Sequence, residues 1–116
     1  MADCLFCGIV AGEVPAQVVL ETDRAVAFRD INPQAPVHVL VVPRRHIDNA
    51  AVVADGDADD VVALLTAAQQ VAVNEGIAGT DRGYRLVFNV GPDALNSVPH
   101  LHLHVLGGRT MAGALG

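Results

Sequence analysis

The chain has 116 residues, 52% of them hydrophobic and 17% charged, with 7 Lys+Arg against 13 Asp+Glu and a net charge of −6. That length fits a single domain, and that apolar content excludes disorder as the main state. The acidic balance excludes a protein that tracks a nucleic-acid backbone, which needs clustered Lys and Arg. The basic residues are all arginines, scattered from Arg24 to Arg109, and only Arg44 and Arg45 are adjacent. A local site for one small anion remains compatible with the charge. No apolar run approaches the roughly 20 residues that a bilayer requires. The start, Met-Ala-Asp-Cys, carries an acid where a signal peptide would carry Lys or Arg. A cytoplasmic location is therefore expected, with the two cysteines as thiols or metal ligands.

In chain order, the apolar run from Leu5 to Val10 followed by Gly12 predicts a short helix with a glycine stop. Gln17 to Glu21 and Ala25 to Arg29 read as two strands joined by a tight turn at Thr22-Asp23-Arg24. Two prolines and an Asn make Asp30 to Pro36 a loop. Val37 to Val42 is β-branched and nearly continuous, as a central strand should be. Asp55, Gly56 and Asp57 supply capping chemistry for a long helix, and Asp59 and Asp60 suit its positive end. Val61, Leu64, Leu65, Ala68 and Val71 then repeat at helical spacing up to a stop at Gly76. Tyr84 to Val90 predicts another strand, Gly91 to Asn96 a loop, and Pro99 to Leu106 the last strand. The sum is an α+β domain: an antiparallel sheet of about five strands with one long and one short helix.

The last strand carries His100, His102 and His104 with Leu101, Leu103 and Val105 between them. Alternation puts the three imidazoles on one face, successive rings roughly 6.5–7 Å apart, and the apolar residues on the other. A lone strand histidine is ordinarily structural; three alternating ones are costly unless used. Two chemistries fit the row. The imidazoles can bind a transition metal, or one can attack phosphorus while its neighbours supply hydrogen bonds and a proton. Ser97 and the loop from Gly91 to Asn96 precede the row, where a hydroxyl and backbone N–H groups suit an anion. Near the N-terminus, Cys4 and Cys7 lie three apart and face the same way on a helical turn, a spacing for a soft metal, a redox pair or two buried thiols.

The run His100-Leu101-His102-Leu103-His104-Val105-Leu106 resembles the signature of the histidine triad (HIT) superfamily of nucleotide hydrolases and transferases. Phe28 to His38 and Val41 to Ile47 resemble the nucleoside-binding half of that family. The ending Leu103 to Arg109 is similar to its HINT branch, the purine nucleoside phosphoramidases. The likeness runs from Cys4 to Arg109 within one domain spanning 1–116, leaving 110–116 as a tail. The resemblance implies a homodimer acting on purine nucleotides at the α-phosphorus of nucleoside 5′-phosphoramidates or related esters. By it, His102 is the nucleophile that forms a nucleotidyl-histidine, His104 contacts the phosphate and assists the leaving group, and His100 and His38 support them. Ser97 and Asn89 match phosphate contacts, Asp30 a ribose-binding acid, and Leu5, Phe6, Val14, Phe28 and Ile31 positions around the base. With Cys4 and Cys7, His46 and His100 complete a Cys₂His₂ set that matches the structural zinc site of many bacterial members; no organic cofactor is implied.

The chain departs from that pattern at three places. Ala94-Leu95-Asn96 stands where the branch has Gly-Gly-Gln, Pro99 where an aromatic is common, and the tail lacks a Trp-Pro-Pro-type ending. Two other functions are compatible with the residues. One is a nucleotide-binding regulator with little turnover; the other is a metalloprotein that uses the histidine row as ligands.

Overall fold

The computed structural model describes residues 4–113. Residues 1–3 and 114–116, which belong to the expected 1–116 domain and its 110–116 tail, lie outside the described residues. The chain runs α1 (Leu5–Val10), β1 (Val18–Glu21), β2 (Ala25–Arg29), β3 (Val37–Pro43), α2 (Ala58–Asn74), β4 (Tyr84–Val87) and β5 (Leu103–Gly107). All strand pairs are antiparallel, and the order across the sheet is β1-β2-β3-β5-β4. This is the α+β architecture that the sequence predicts. Among the described residues no helix is long and apolar enough to cross a membrane.

Strand alternation divides the sheet into two unequal faces. Ala25, Ala27, Val39, Val41, Leu103 and Val105 face α2 and join Leu64, Ala68 and Val71 in the main core. Val26, Phe28, Leu40 and Val42 face the other way, against Cys4 and Phe6 at the start of α1. A helix of 17 residues covers the first face, and one of only 6 residues covers the second. The second face therefore stays partly open, and the histidines lie there.

Three expectations are corrected. The buried stripe of α2 is Asp60, Leu64, Ala67, Ala68, Val71 and Ala72, whereas Leu65 is exposed and Val61 half-buried. Small alanines let the helix approach the sheet, and Asp60 tolerates burial because Arg24 (3.1 Å) and Arg45 (2.9 Å) donate to its carboxylate. The last strand begins at Leu103 rather than Pro99. Pro99 has no N–H to give the ladder, and Leu101 N donates instead to Ile47 O at 2.6 Å. Leu101 still points into the core, so the alternation holds where the ladder does not. Finally, β4 ends at Val87 rather than Val90, and its last partner is His104. Residues 89 and 90 have no strand opposite them, because β5 starts only one residue before His104.

Candidate active site

An open cavity of about 410 Å³ lies between α1 and the second face of the sheet. Leu5, Phe6, Val14, Phe28, Asp30, Ile31, Asn89 and Ser97 all line it, together with His102 and His104. The structure thus brings together every residue that the sequence reading assigned to nucleotide contact. Phe6 and Phe28 meet edge to face at 5.3 Å and are buried, serving as both core and wall. Ile31, 99% exposed, and Leu5, 50% exposed, stand at the mouth rather than in the core. Gly8 keeps α1 close to the cavity wall, since a Cβ there would come within 2.7 Å of Val14.

The histidines divide unequally. His102 and His104 rings are 5.1 Å apart, closer than the spacing expected from strand rise alone. His100 lies before β5, is fully buried, and turns its ring away toward Cys4 and His46. Its backbone carbonyl accepts from His102 Nδ1 at 2.7 Å. That bond fixes the His102 tautomer: Nδ1 carries the proton, and Nε2 keeps a lone pair for the cavity. The edge of Phe6 packs on the His102 ring at 5.1 Å and holds its plane.

A second chain of bonds sets His104. Gln34 N donates to His38 Nδ1 at 3.0 Å, so the His38 proton sits on Nε2. His38 Nε2 donates to His104 Nδ1 at 2.9 Å, and Asp30 Oδ2 lies 3.4 Å from the same nitrogen. His104 therefore presents an N–H at Nε2; the atom nearest it, Asn89 Nδ2 at 3.5 Å, is itself a donor, so both N–H groups face the cavity. The two cavity imidazoles end up complementary: one offers a lone pair and the other a proton. Asp30 also accepts from Asn32 N at 2.8 Å, which pins the loop and still leaves carboxylate lone pairs for a ligand. Gln34 carries no side-chain chemistry that would have singled it out in the sequence. Its role is a backbone N–H placed by the loop.

Burial, then the neighbouring His102 and His38, pull the His104 pKa down to about 4. Burial likewise lowers that of His38, against the opposing pull of Asp30. Both rings are thus neutral at pH 7. Below pH ~6.5 the unfolded chain takes up these protons before the folded one does. Stability is therefore full above that pH and declines as pH falls toward 4. Urea midpoints at pH 7.5, 5.5 and 4.5 will show this decline, and His104→Gln will make it shallower.

Leu95 adopts a left-handed conformation (φ 61°) at the end of the Pro92–Ala94 turn. It is the only non-glycine with positive φ among the described residues. The strain is roughly 1–2 kcal/mol. The loop keeps a backbone shape that suits glycine, while the Leu95 side chain, 87% exposed, joins the cavity wall.

Cys4, Cys7, His46 and His100 converge so that their donor atoms lie within 4.8 Å of one another. Cys4 Sγ is 3.3 Å from His100 Nδ1, and Cys7 Sγ is 3.2 Å from His46 Nδ1. Outside the cluster, His100 Nε2 is 3.0 Å from Pro43 O and His46 Nε2 is 2.7 Å from Asp48 Oδ1. Those acceptors place the ring protons on Nε2 and leave both Nδ1 lone pairs facing the thiols, the arrangement of metal-binding imidazoles. Burial, then the adjacent Cys4, push the Cys7 thiol pKa up. Two thiolates side by side here need a cation. The donor set suits zinc, a borderline-soft ion that takes thiolate and imidazole in tetrahedral sets.

A family model described as "HIT domain" matches residues 11–111. A crystal structure of a HIT family hydrolase from Legionella pneumophila superposes with a TM-score of 0.93 at 46% identity, covering 98% of this chain and 100% of that one. A HIT family hydrolase from Clostridium thermocellum gives 0.93 at 40% identity, covering 99% and 98%. A curated relative from Brassica juncea, named "14 kDa zinc-binding protein", is 41% identical over 111 residues, 94% of this chain and 96% of its own length.

Proposed function

The chain belongs to the HIT family, and on that premise we propose that it is a nucleotide hydrolase of the HINT type. It cleaves purine nucleoside 5′-phosphoramidates or related nucleotidyl esters at the α-phosphorus. The observation that carries this reading is the paired tautomers of His102 and His104 in a single cavity lined by aromatic and aliphatic residues. The base packs among Leu5, Phe6, Val14, Phe28 and Ile31. Asp30 accepts from the ribose hydroxyls, and Asn89 and Ser97 donate to the phosphate.

His102 Nε2 attacks phosphorus, and a P–N(histidine) bond forms as the P–N bond to the leaving amine breaks. His104 Nε2–H, oriented by His38, directs its hydrogen toward the departing nitrogen. The negative phosphoryl group beside it raises the ring's pKa on binding, so that a larger share of His104 takes up a second proton and, as imidazolium, gives Nε2–H to the leaving amine and returns to neutral imidazole. Water then cleaves the nucleotidyl-histidine, giving the nucleoside monophosphate and free His102. Splitting one displacement into two lowers each barrier, and positioning does most of the remaining work. Leu95 retains the backbone shape of the loop despite its Cβ, which favours turnover over binding alone.

Cys4, Cys7, His46 and His100 would hold a zinc ion that fixes α1 to the segment before β5. The ion supplies structural rigidity there. The chain forms one domain and pairs as a homodimer through an exposed sheet edge, for which β4 with Leu86 and the nearby Val90 supplies unpaired backbone and apolar surface. Two cysteines outside any disulfide suit a cytoplasmic setting.

Adenosine 5′-phosphoramidate is the direct test. The expected products are AMP and ammonia, and acid-sensitive, alkali-stable AMP should be trapped on His102 in a rapid quench read by mass spectrometry. No AMP release from this compound or from alkyl-substituted phosphoramidates would overturn the proposal.

A further inference from the structure

Exposed aliphatic side chains are ordinary on a folded domain, and most of those here are only partly uncovered. Ile31 at 99% and Leu95 at 87% stand apart, since the next, Val73, is at 62%. Both of these outliers line the histidine cavity. They reach it from different elements. Ile31 lies in the loop after β2 and joins Leu5, Phe6, Val14 and Phe28 around one end. Leu95 lies in the loop between Asn89 and Ser97, the two residues assigned to the phosphate, and precedes Ser97 by two positions. The cavity therefore has apolar surface at the end assigned to the base, and again beside the polar groups assigned to the phosphate.

Leu95 holds that place against its own conformational preference. Its backbone is left-handed (φ 61°), which a β-carbon disfavours, and its side chain packs little against the protein. The loop imposes this shape: Leu95 N donates to Pro92 O at 2.9 Å, and Asn96 N to Gly91 O at 3.1 Å. The Oδ1 atom of Asn96, buried in the same loop, has no hydrogen-bond partner among the described residues. Glycine or asparagine would suit the backbone at position 95 better and would lose little packing. Strain kept at a cavity wall without a packing gain is accounted for by contact with a ligand.

A nucleoside monophosphate group uses only part of this cavity. Its base takes the apolar end, its ribose Asp30, and its phosphate Asn89 and Ser97, which leaves Leu95 without a role. The remaining substituent on phosphorus is the group that departs. We propose that Leu95 is a specificity residue for that leaving group, selecting amines with an apolar chain over amines with a charged one. The inference rests on the hydrolase reading above and adds to it the class of amine. Covering much of a leucine side chain with an apolar chain raises kcat/KM by about tenfold. A charged group in the same place would be partly dehydrated against Leu95 and find no partner in that side chain.

Two adenosine 5′-phosphoramidates test this, one made from pentylamine and one from δ-aminovalerate. The two amines match in chain length and closely in basicity, and differ in a terminal methyl against a carboxylate. The wild type should favour the pentylamine compound in kcat/KM by at least ~10-fold. Leu95→Asn and Leu95→Gly both suit the left-handed backbone, and should bring that ratio to within about threefold. Leu95→Met should restore most of it, and Tm reports the folding of each variant. Calorimetric affinities for the same pair, in His102→Ala with and without Leu95→Asn, repeat the comparison without turnover. An unchanged ratio in Leu95→Asn would overturn the inference, while AMP release would go on supporting the hydrolase reading. No AMP release, together with a Leu95-dependent difference in affinity, would overturn the hydrolase reading and keep Leu95 as the contact for the amine chain. A changed oligomeric state in Leu95→Asn with an unchanged ratio would assign Leu95 to contact between copies instead.

Discussion

On the mechanism proposed above, His102→Ala is expected to lower kcat for adenosine 5′-phosphoramidate by at least ~10³-fold, because it removes the proposed nucleophile. AMP affinity should stay within about threefold, since the base and ribose contacts lie elsewhere in the cavity. The two effects separate chemistry from binding. The bond from His102 Nδ1 to the His100 carbonyl makes Nε2 the only nitrogen available for attack, so no tautomeric escape rescues a displaced ring. His104→Gln should keep the nucleophile and lose proton assistance, a smaller loss of about 10²–10⁴-fold that shrinks for better leaving groups. Full activity in His102→Ala would mean that another group attacks phosphorus.

For the zinc site proposed at Cys4, Cys7, His46 and His100, Cys7→Ser is expected to lower zinc from about one per chain to a small fraction. Loss of a structural site that ties two distant segments should also cost a few kcal/mol, a drop of roughly 10 °C in Tm. Cys7 and His100 are 93 positions apart yet 3.4 Å apart in space, so the site bridges nearly the whole chain. Metal analysis by mass spectrometry and calorimetry with and without chelator measure both effects. The same analysis on His102→Ala distinguishes the alternative in which the histidine row holds the metal. That alternative requires zinc to leave with His102 and to stay in Cys7→Ser.

Much of this was legible in the sequence because it is local. Periodicity two exposed the histidine row, and the three-residue spacing of Cys4 and Cys7 matches α1, with Cys4 at its N-cap. The long helix was legible too, although its facing was rotated: counting apolar residues favoured Leu65, while close packing chose Ala67, Ala72 and a charge-paired Asp60. The limits of β4 and β5 were not legible, because each ends where its partner does, and pairing is a property of two distant segments. Gln34 was invisible for a different reason. Its contribution is a backbone N–H, which every residue except proline possesses, and only the loop conformation makes it matter.

The strand order carries a kinetic consequence. β5 is the last strand made, yet it sits between β3 and β4, and β4 has no other partner in the sheet. Pairing His38 with Leu106 closes a loop of roughly 70 residues, an entropic toll that slows the search for the native topology. A chain lacking β5 can form the β1–β2–β3 meander and dock α2. It has neither His104 nor a seat for β4. Catalytic competence should consequently emerge in one late step, coincident with closure of the sheet, with no partly folded species able to turn over substrate.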